Sequence, residues 1–259
     1  MIKHCLLLLM LVSGTVHAFS MSCPRGQAAI TGFAQSFVTD ARIKHAHITA
    51  LETGKVYTTD ANGRFFFCQP IGSHITLLLE KKGFHPLQTA TYRVLASGFK
   101  GPYRQITFQV PTNVVYHMIK LVISKSRKVS LDPGKCTLVT TIAAYHKTLA
   151  DDLQGEPGAV LTVEDNNNRQ IPVVTHRPYY FGFFKYGPFK GKTNIFTSGL
   201  TKTTRDGGVL VYNLEVQSKD HLYTLSAVKP GKTFTRINIW CRAGALINVS
   251  PPWSPTVTD

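Results

Sequence analysis

The sequence predicts an all-β protein in which two β-sandwich domains are joined by a long segment that resembles a β-hairpin. The first observation is that many short apolar runs are separated by Gly, Pro and Asn turns, which is typical of a β-sandwich. The second is an internal repeat, because residues 59–67 and 204–212 each place a polar, glycine-containing turn before an apolar strand. The third is that the periodicity predicts no amphipathic helix of useful length.

The amino-terminal segment, residues 1–18 of the 259-residue chain, is typical of a secretory signal peptide. Lys3 supplies the positive charge, residues 5–12 form an apolar run, and Ala18 is a small residue at the cleavage position. The run is too short to span a bilayer, and no later stretch is long and apolar enough to do so. We therefore expect a secreted, extracellular protein that reaches its destination through the periplasm.

The first sandwich domain is predicted over residues 19–103. Its turn at residues 60–63 contains Asn and Gly, which tolerate the backbone angles of a tight turn. In the strand that follows, alternation places Phe65 and Phe67 on one face and Phe66 on the other.

The connector between the two domains is predicted over residues 104–135 as a long strand or hairpin. Residues 105–110 alternate between polar and apolar types, Pro111 interrupts the pattern, and residues 114–123 resume as a β-prone stretch. An exposed strand edge can pair with another chain, so we expect the edge over residues 104–124 to support a homodimer.

The second sandwich domain is predicted over residues 136–250 and carries an insertion that the first domain lacks. The insertion, residues 176–193, is rich in aromatic and basic residues. Residues 251–259 are predicted to form an extended, proline-rich tail.

The cysteine count suggests a disulfide framework. Cys5 would leave with the signal peptide, and the four remaining cysteines of an exported chain allow three pairings. One pair falls in each proposed domain, and this placement favours Cys23–Cys68 and Cys136–Cys241. Lipidation at Cys23 is disfavoured, because no Leu stands three residues before it and it lies well past the apolar run.

Both halves share one frame of short segments, at residues 46–48, 59–65, 72–79 and 82–84 in the first half and 157–160, 206–209 and 223–227 in the second. This frame resembles the carboxypeptidase-regulatory-like domain, an immunoglobulin-like or transthyretin-like sandwich. Some exported proteins of Gram-negative bacteria look similar overall, including secretion-system substrates of intracellular pathogens, with type II secretion among the routes. The resemblance implies a fold and an export route. It implies no activity, because such sandwiches serve many functions.

The best candidate for a binding site is the basic aromatic insertion. Its tyrosines can stack on sugars, bases or apolar groups, and its lysines can meet anionic groups. The alternative is a loop that packs over the sandwich with its aromatic side chains buried. The candidate binding residues are Tyr179, Tyr180, Lys185, Tyr186, Lys190 and Lys192.

The charge and the lack of catalytic motifs together point to a binding function. The formal net charge of +15 favours anionic partners such as lipid headgroups or glycosaminoglycans. The sequence shows no metalloprotease or serine-hydrolase motif, and we expect no cofactor, no metal site and no catalytic residue. We expect a secreted, non-enzymatic effector, active in virulence, that recognises an anionic host or envelope surface or a protein partner. The alternative is an exported enzyme or accessory subunit whose site cannot be read from the sequence.

Overall fold

The computed structural model describes residues 22–100, 104–148, 151–165, 178–188, 190–195, 197 and 199–258, without the side chains of residues 126 and 127. The predicted signal peptide lies outside the described residues. The helix is α1 (Asn113–Arg127). The strands are β1 (Gln27–Ser36), β2 (His47–Ala50), β3 (Lys55–Thr58), β4 (Arg64–Pro70), β5 (His74–Glu80), β6 (Leu87–Arg93), β7 (Ile106–Val110), β8 (Cys136–Thr141), β9 (Val160–Glu164), β10 (Tyr179–Tyr180), β11 (Gly182–Phe183), β12 (Thr193–Asn194), β13 (Gly208–Leu214), β14 (Tyr223–Val228), β15 (Ile237–Ile239) and β16 (Leu246–Val249).

The all-β class is confirmed, since strands dominate the described residues and α1 is their one α-helix. In the first half, β4-β1-β7 form one sheet, and β2, β3, β5 and β6 belong to a second. Phe65 and Phe67 on β4 are each 5% exposed, whereas Phe66 is only half-buried. The alternation therefore buries the predicted face, and the ring of Phe67 stacks on Tyr57 of β3 with centroids 3.8 Å apart.

The two halves share strand β6. One edge of β6 pairs with β5, and the other pairs with β16 near Leu87 and with β15 at Thr91. A single buried cluster also contains residues of both halves, among them Leu77 and Leu138. The domain boundaries at 19–103 and 136–250 remain a prediction. Strands of the two predicted domains pair with each other through backbone hydrogen bonds.

The two predicted disulfides are confirmed. Cys23–Cys68 ties the start of the described chain to β4, and Cys136–Cys241 joins the first residue of β8 to the segment after β15. Cys136 and Cys241 are fully buried. In the chain-entropy view, a bridge that closes a loop of 105 residues stabilises the fold by about 4–5 kcal/mol.

The connector differs from the predicted hairpin, because β7 is followed by helix α1 instead of a second strand. The Thr112 hydroxyl accepts a hydrogen bond from the Val115 backbone N–H at 3.2 Å, which caps the helix start, and Lys128 ends the helix with a positive φ of 54°. The β-branched residues suggested a strand, but Ile119 and Ile123 recur at helical spacing and pack against the sheet. A strand edge in the predicted dimer region is therefore limited to β7.

Helix α1 packs on one face of the sheet, where strands β10 and β13 form its edge. Tyr179, Phe181, Leu210 and Tyr212 form a second buried cluster there with Ile123 of the helix. The interface encloses an apolar cavity of about 50 Å³. Sites for drug-sized ligands usually exceed roughly 300 Å³, so this space is a packing gap between the helix and the sheet.

Residues 251–258 of the predicted tail are folded into the body of the protein. Ser254 is fully buried, Val257 is 3% exposed, and Val257 forms a β-bridge with Phe234. The proline-rich composition suggested an extended tail, but Trp253, which lies between the prolines, and Val257, which follows them, both contact the core.

Candidate binding surface

Strand β10 anchors the basic aromatic insertion to the sheet. Tyr179 and Tyr180 pair with Leu210 and Val209 of β13, and each tyrosine is only 2% exposed. The Tyr180 hydroxyl accepts a hydrogen bond from the Leu161 backbone N–H at 3.1 Å. These two tyrosines therefore belong to the packed core, and their assignment as binding residues stays a prediction. Their rings stabilise the fold more when they are buried in the core than they would when exposed to solvent.

The next residues fix the direction in which the chain leaves the sheet. The Phe181 backbone N–H donates to the Gly208 carbonyl at 2.9 Å, and the Phe181 carbonyl accepts from the Thr204 hydroxyl at 2.9 Å. A Cβ on Gly208 would lie 2.1 Å from the Phe181 ring, so glycine is required for this packing. The segment after Phe181 thus starts from a rigid base.

Strands β11 and β12 form a short antiparallel hairpin on this base, with Gly182 opposite Asn194. We call residues 182–194 the basic hairpin. Its neck is closed by hydrogen bonds from the Phe184 N–H to the Lys192 carbonyl and from the Gly191 N–H to the Phe184 carbonyl. Phe189 lies outside the described residues. The closed neck holds the intervening loop away from the sheet.

The loop of the basic hairpin presents the remaining candidate residues to solvent. Lys185, Lys190 and Lys192 are exposed, and Tyr186 is 85% exposed. Residues 182–195 contain no Asp or Glu, so the lysine charges are not neutralised from within the hairpin. The Asp206 carboxylate at its base is engaged by the Thr193 hydroxyl and the Gly208 N–H. An exposed ring among cations can meet an anionic group that also offers a flat or apolar surface.

The side chains with the most strongly shifted pKa values owe the shift mainly to burial in the fold. Burial and the nearby charge of Lys120 lower the pKa of His85 to about 4, and burial raises the pKa of Tyr92. Neither side chain lines the apolar cavity under α1. Among the described residues, no group of three His, Cys, Asp or Glu side chains could hold a metal ion.

Sequence reasoning missed one surface, the outer face of α1. Val114, Met118 and Leu121 are 69%, 53% and 47% exposed there. Their spacing of four and then three residues places them on one helix face. This spacing can be read from the sequence, but it indicates a shared face only if the segment is taken as a helix. Within the described ranges, no helix has the length and apolar character needed to cross a bilayer.

Comparisons with known proteins leave the family open. No protein-family model matches the chain. No curated protein is similar to it in sequence. The resemblance to carboxypeptidase-regulatory-like domains therefore remains a prediction.

Several solved structures share a distant likeness with the chain. A shaft pilin from Lactobacillus rhamnosus GG is 8% identical, with a TM-score of 0.25 and coverage of 90% of this chain and 98% of the pilin. The minor pilin from Streptococcus agalactiae is 11% identical, with a TM-score of 0.27 and coverage of 90% and 97%. The Bacillus anthracis TIE protein is 12% identical, with a TM-score of 0.25, and the match covers 86% of this chain and 33% of that protein. At these TM-scores the likeness carries no argument about function.

Proposed function

We propose that the protein is an exported, non-enzymatic binding protein that recognises an anionic partner through the basic hairpin. The observation that carries this proposal is the exposure of Tyr186, at 85%, among the exposed Lys185, Lys190 and Lys192. Leaving a large aromatic side chain in water forgoes the free energy that burial would release. Such a residue on a folded hairpin is therefore better explained by a partner than by packing.

The rigid base of the hairpin supports the same function. Tyr180 and Phe181 are held in the sheet by backbone pairing, so the loop does not need to be ordered from a free chain when it binds. A pre-organised binding surface loses less conformational entropy on association. The two disulfides fit a protein that folds in an oxidising compartment outside the cytosol. Export through the periplasm and an effector role in virulence are part of this proposal.

The hairpin can be tested with heparin as a polyanionic probe. In one variant Lys185, Lys190 and Lys192 are changed to Glu, and in the control variant Lys55, Lys82 and Lys219 are changed to Glu. All six side chains are exposed and the two variants have the same net charge. We expect the hairpin variant to lose at least about tenfold in heparin affinity relative to the control at low salt.

Equal affinities of the two variants would show that only net charge matters and would remove the hairpin from the binding site. The change Tyr186→Ala separates the aromatic contribution from the charge. We expect it to weaken heparin binding by about threefold without changing the slope of affinity against salt, because no charge is removed.

A further inference from the structure

Helix α1 carries an exposed apolar stripe that is not part of the protein core. The inner face of the helix packs on the sheet through Ile119 and Ile123. Val114, Met118 and Leu121 point away from it and stay about half or more exposed. Since these three side chains contribute little to the core, their apolar character has no explanation in the packing of the protein.

The segment that carries this stripe is basic and contains no acidic residue. Residues 104–131 contain no Asp or Glu, and Lys125 and Lys128 on or directly after the helix are exposed. Lys120 is half-buried, with its ammonium group 6.0 Å from the centre of the Tyr116 ring. An apolar stripe flanked by uncompensated lysines is complementary to a surface that is both anionic and apolar.

Charge and shape distinguish between the occupants that could cover the stripe. A second copy of the chain would bring Lys125 and Lys128 against like charges, in a protein whose net charge is +15. An acidic peptide would need a groove, and the outer face of a single helix is convex. A bilayer with anionic headgroups is broad enough to meet a convex face, and its acyl region can take up the three side chains.

We propose that the outer face of α1 docks the protein on the surface of an anionic lipid bilayer. Val114, Met118 and Leu121 enter the boundary between headgroups and acyl chains, while Lys125 and Lys128 contact lipid phosphates. This site is separate from the basic hairpin and does not depend on it. The base of the hairpin packs beside α1, because Phe181 and Ile195 line the same cavity as Ile119.

Vesicle co-sedimentation tests this proposal with the full mature chain. The probes are vesicles of phosphatidylcholine alone and of phosphatidylcholine mixed with phosphatidylglycerol. The helix variant carries Val114→Gln, Met118→Gln and Leu121→Gln, which keep good helix propensity. The control variant carries two exposed apolar-to-Gln changes away from the helix, Val56→Gln and Val228→Gln, which are exposed at 58% and 52% on β3 and β14.

We expect the wild type and the control to bind the anionic vesicles, and the helix variant to bind them at least about tenfold more weakly. All three should bind phosphatidylcholine weakly, and salt should weaken the binding to anionic vesicles. Absence of wild-type binding to anionic vesicles, or equal binding by the helix variant, would overturn the proposal. Selective capture of an acidic peptide in place of the vesicles would overturn it as well.

Two further measurements keep the outcome unambiguous. The Leu121→Trp variant should show a blue-shifted emission when anionic vesicles are added, and an unchanged spectrum would contradict insertion of the helix face. The helix variant should keep its affinity for heparin if the basic hairpin binds that probe. Heparin binding therefore tests the hairpin proposal, and vesicle binding tests the α1 proposal.

Discussion

The imidazole ring of His85 stacks on the phenol ring of Tyr116, with centroids 3.5 Å apart and an angle of 13° between the planes. The contact joins the loop after β5 to helix α1, and the backbone N–H of His85 also donates to the Pro111 carbonyl at 2.9 Å. The Nε2 atom of His85 is buried and has no hydrogen-bond partner within the described part of the chain. Protonation of this nitrogen would therefore place a positive charge in a buried position where its N–H has no acceptor.

This contact predicts that acid weakens the protein through His85. The pKa of His85 falls from its ordinary value of 6.5 to about 4 in the fold, mainly by burial and further by the charge of Lys120. Between these two values the unfolded chain binds the proton and the folded chain does not, so stability is lost as the pH falls from 6.5 towards 4. The ring is partly exposed to solvent, and we expect a loss of about 1 kcal/mol from this group.

The variant His85→Phe keeps a ring for stacking and removes the titrating group. In urea unfolding at several pH values, its stability relative to the wild type should rise as the pH falls from neutral to about 4. The exposed His47→Phe serves as the control and should run parallel to the wild type. A constant difference between His85→Phe and the wild type across this range would contradict the assignment.

A second prediction concerns the close approach of Gly155 to Gly207, the latter lying in the turn before β13. A Cβ on Gly155 would lie 2.1 Å from the backbone nitrogen of Gly207, whereas a Cβ on Gly158 would meet nothing within 4 Å. The clash involves backbone on both sides and cannot be relieved by a rotamer change. We expect Gly155→Ala to cost about 3 kcal/mol or more of stability.

Gly158→Ala is the matched substitution, because its φ of 80° makes an added side chain strained without any clash. That strain costs about 1 kcal/mol. Thermal or urea unfolding of the two variants should therefore separate a packing clash from backbone strain. Equal losses would mean that the strands adjust around Gly155.

The turns were the part of the fold that could be predicted from sequence. Asp60 accepts hydrogen bonds from the Asn62 and Arg64 N–H groups at 2.8 Å each, and Asp206 accepts one from the Gly208 N–H at 2.9 Å. Both turns use the same local chemistry, in which a short carboxylate satisfies the backbone that follows it. Such bonds span only two to four residues, so the sequence alone specifies them.

The errors arose where distant contacts decide the structure. Residues 113–127 have β-branched side chains, yet they form a helix because the outer face of the sheet offers a surface for Ile119 and Ile123. The first tyrosines of the insertion lie in the sheet, and this position could not be predicted without knowledge of the partner strand β13. In β13, the positive φ of 56° at Asn213 and a register shift return Leu214 to the opposite face from Tyr212. Strict alternation along a strand would put Tyr212 and Leu214 on one face.

The final prediction concerns Trp253, in the segment that the sequence suggested would be a tail. Its ring lies 4.6 Å from that of Phe99 and 5.7 Å from that of Tyr92, measured between centroids, and its indole N–H donates to the Gln105 carbonyl at 3.4 Å. These contacts attach the carboxy-terminal segment to the first half of the protein. Removing such a ring leaves a cavity among large side chains, so Trp253→Ala should cost about 3 kcal/mol in urea unfolding. Tyr186→Ala removes an aromatic side chain that is 85% exposed and should change stability by less than about 0.5 kcal/mol. If Trp253→Ala proved as mild as Tyr186→Ala, the carboxy-terminal segment would not be part of the folded core in solution.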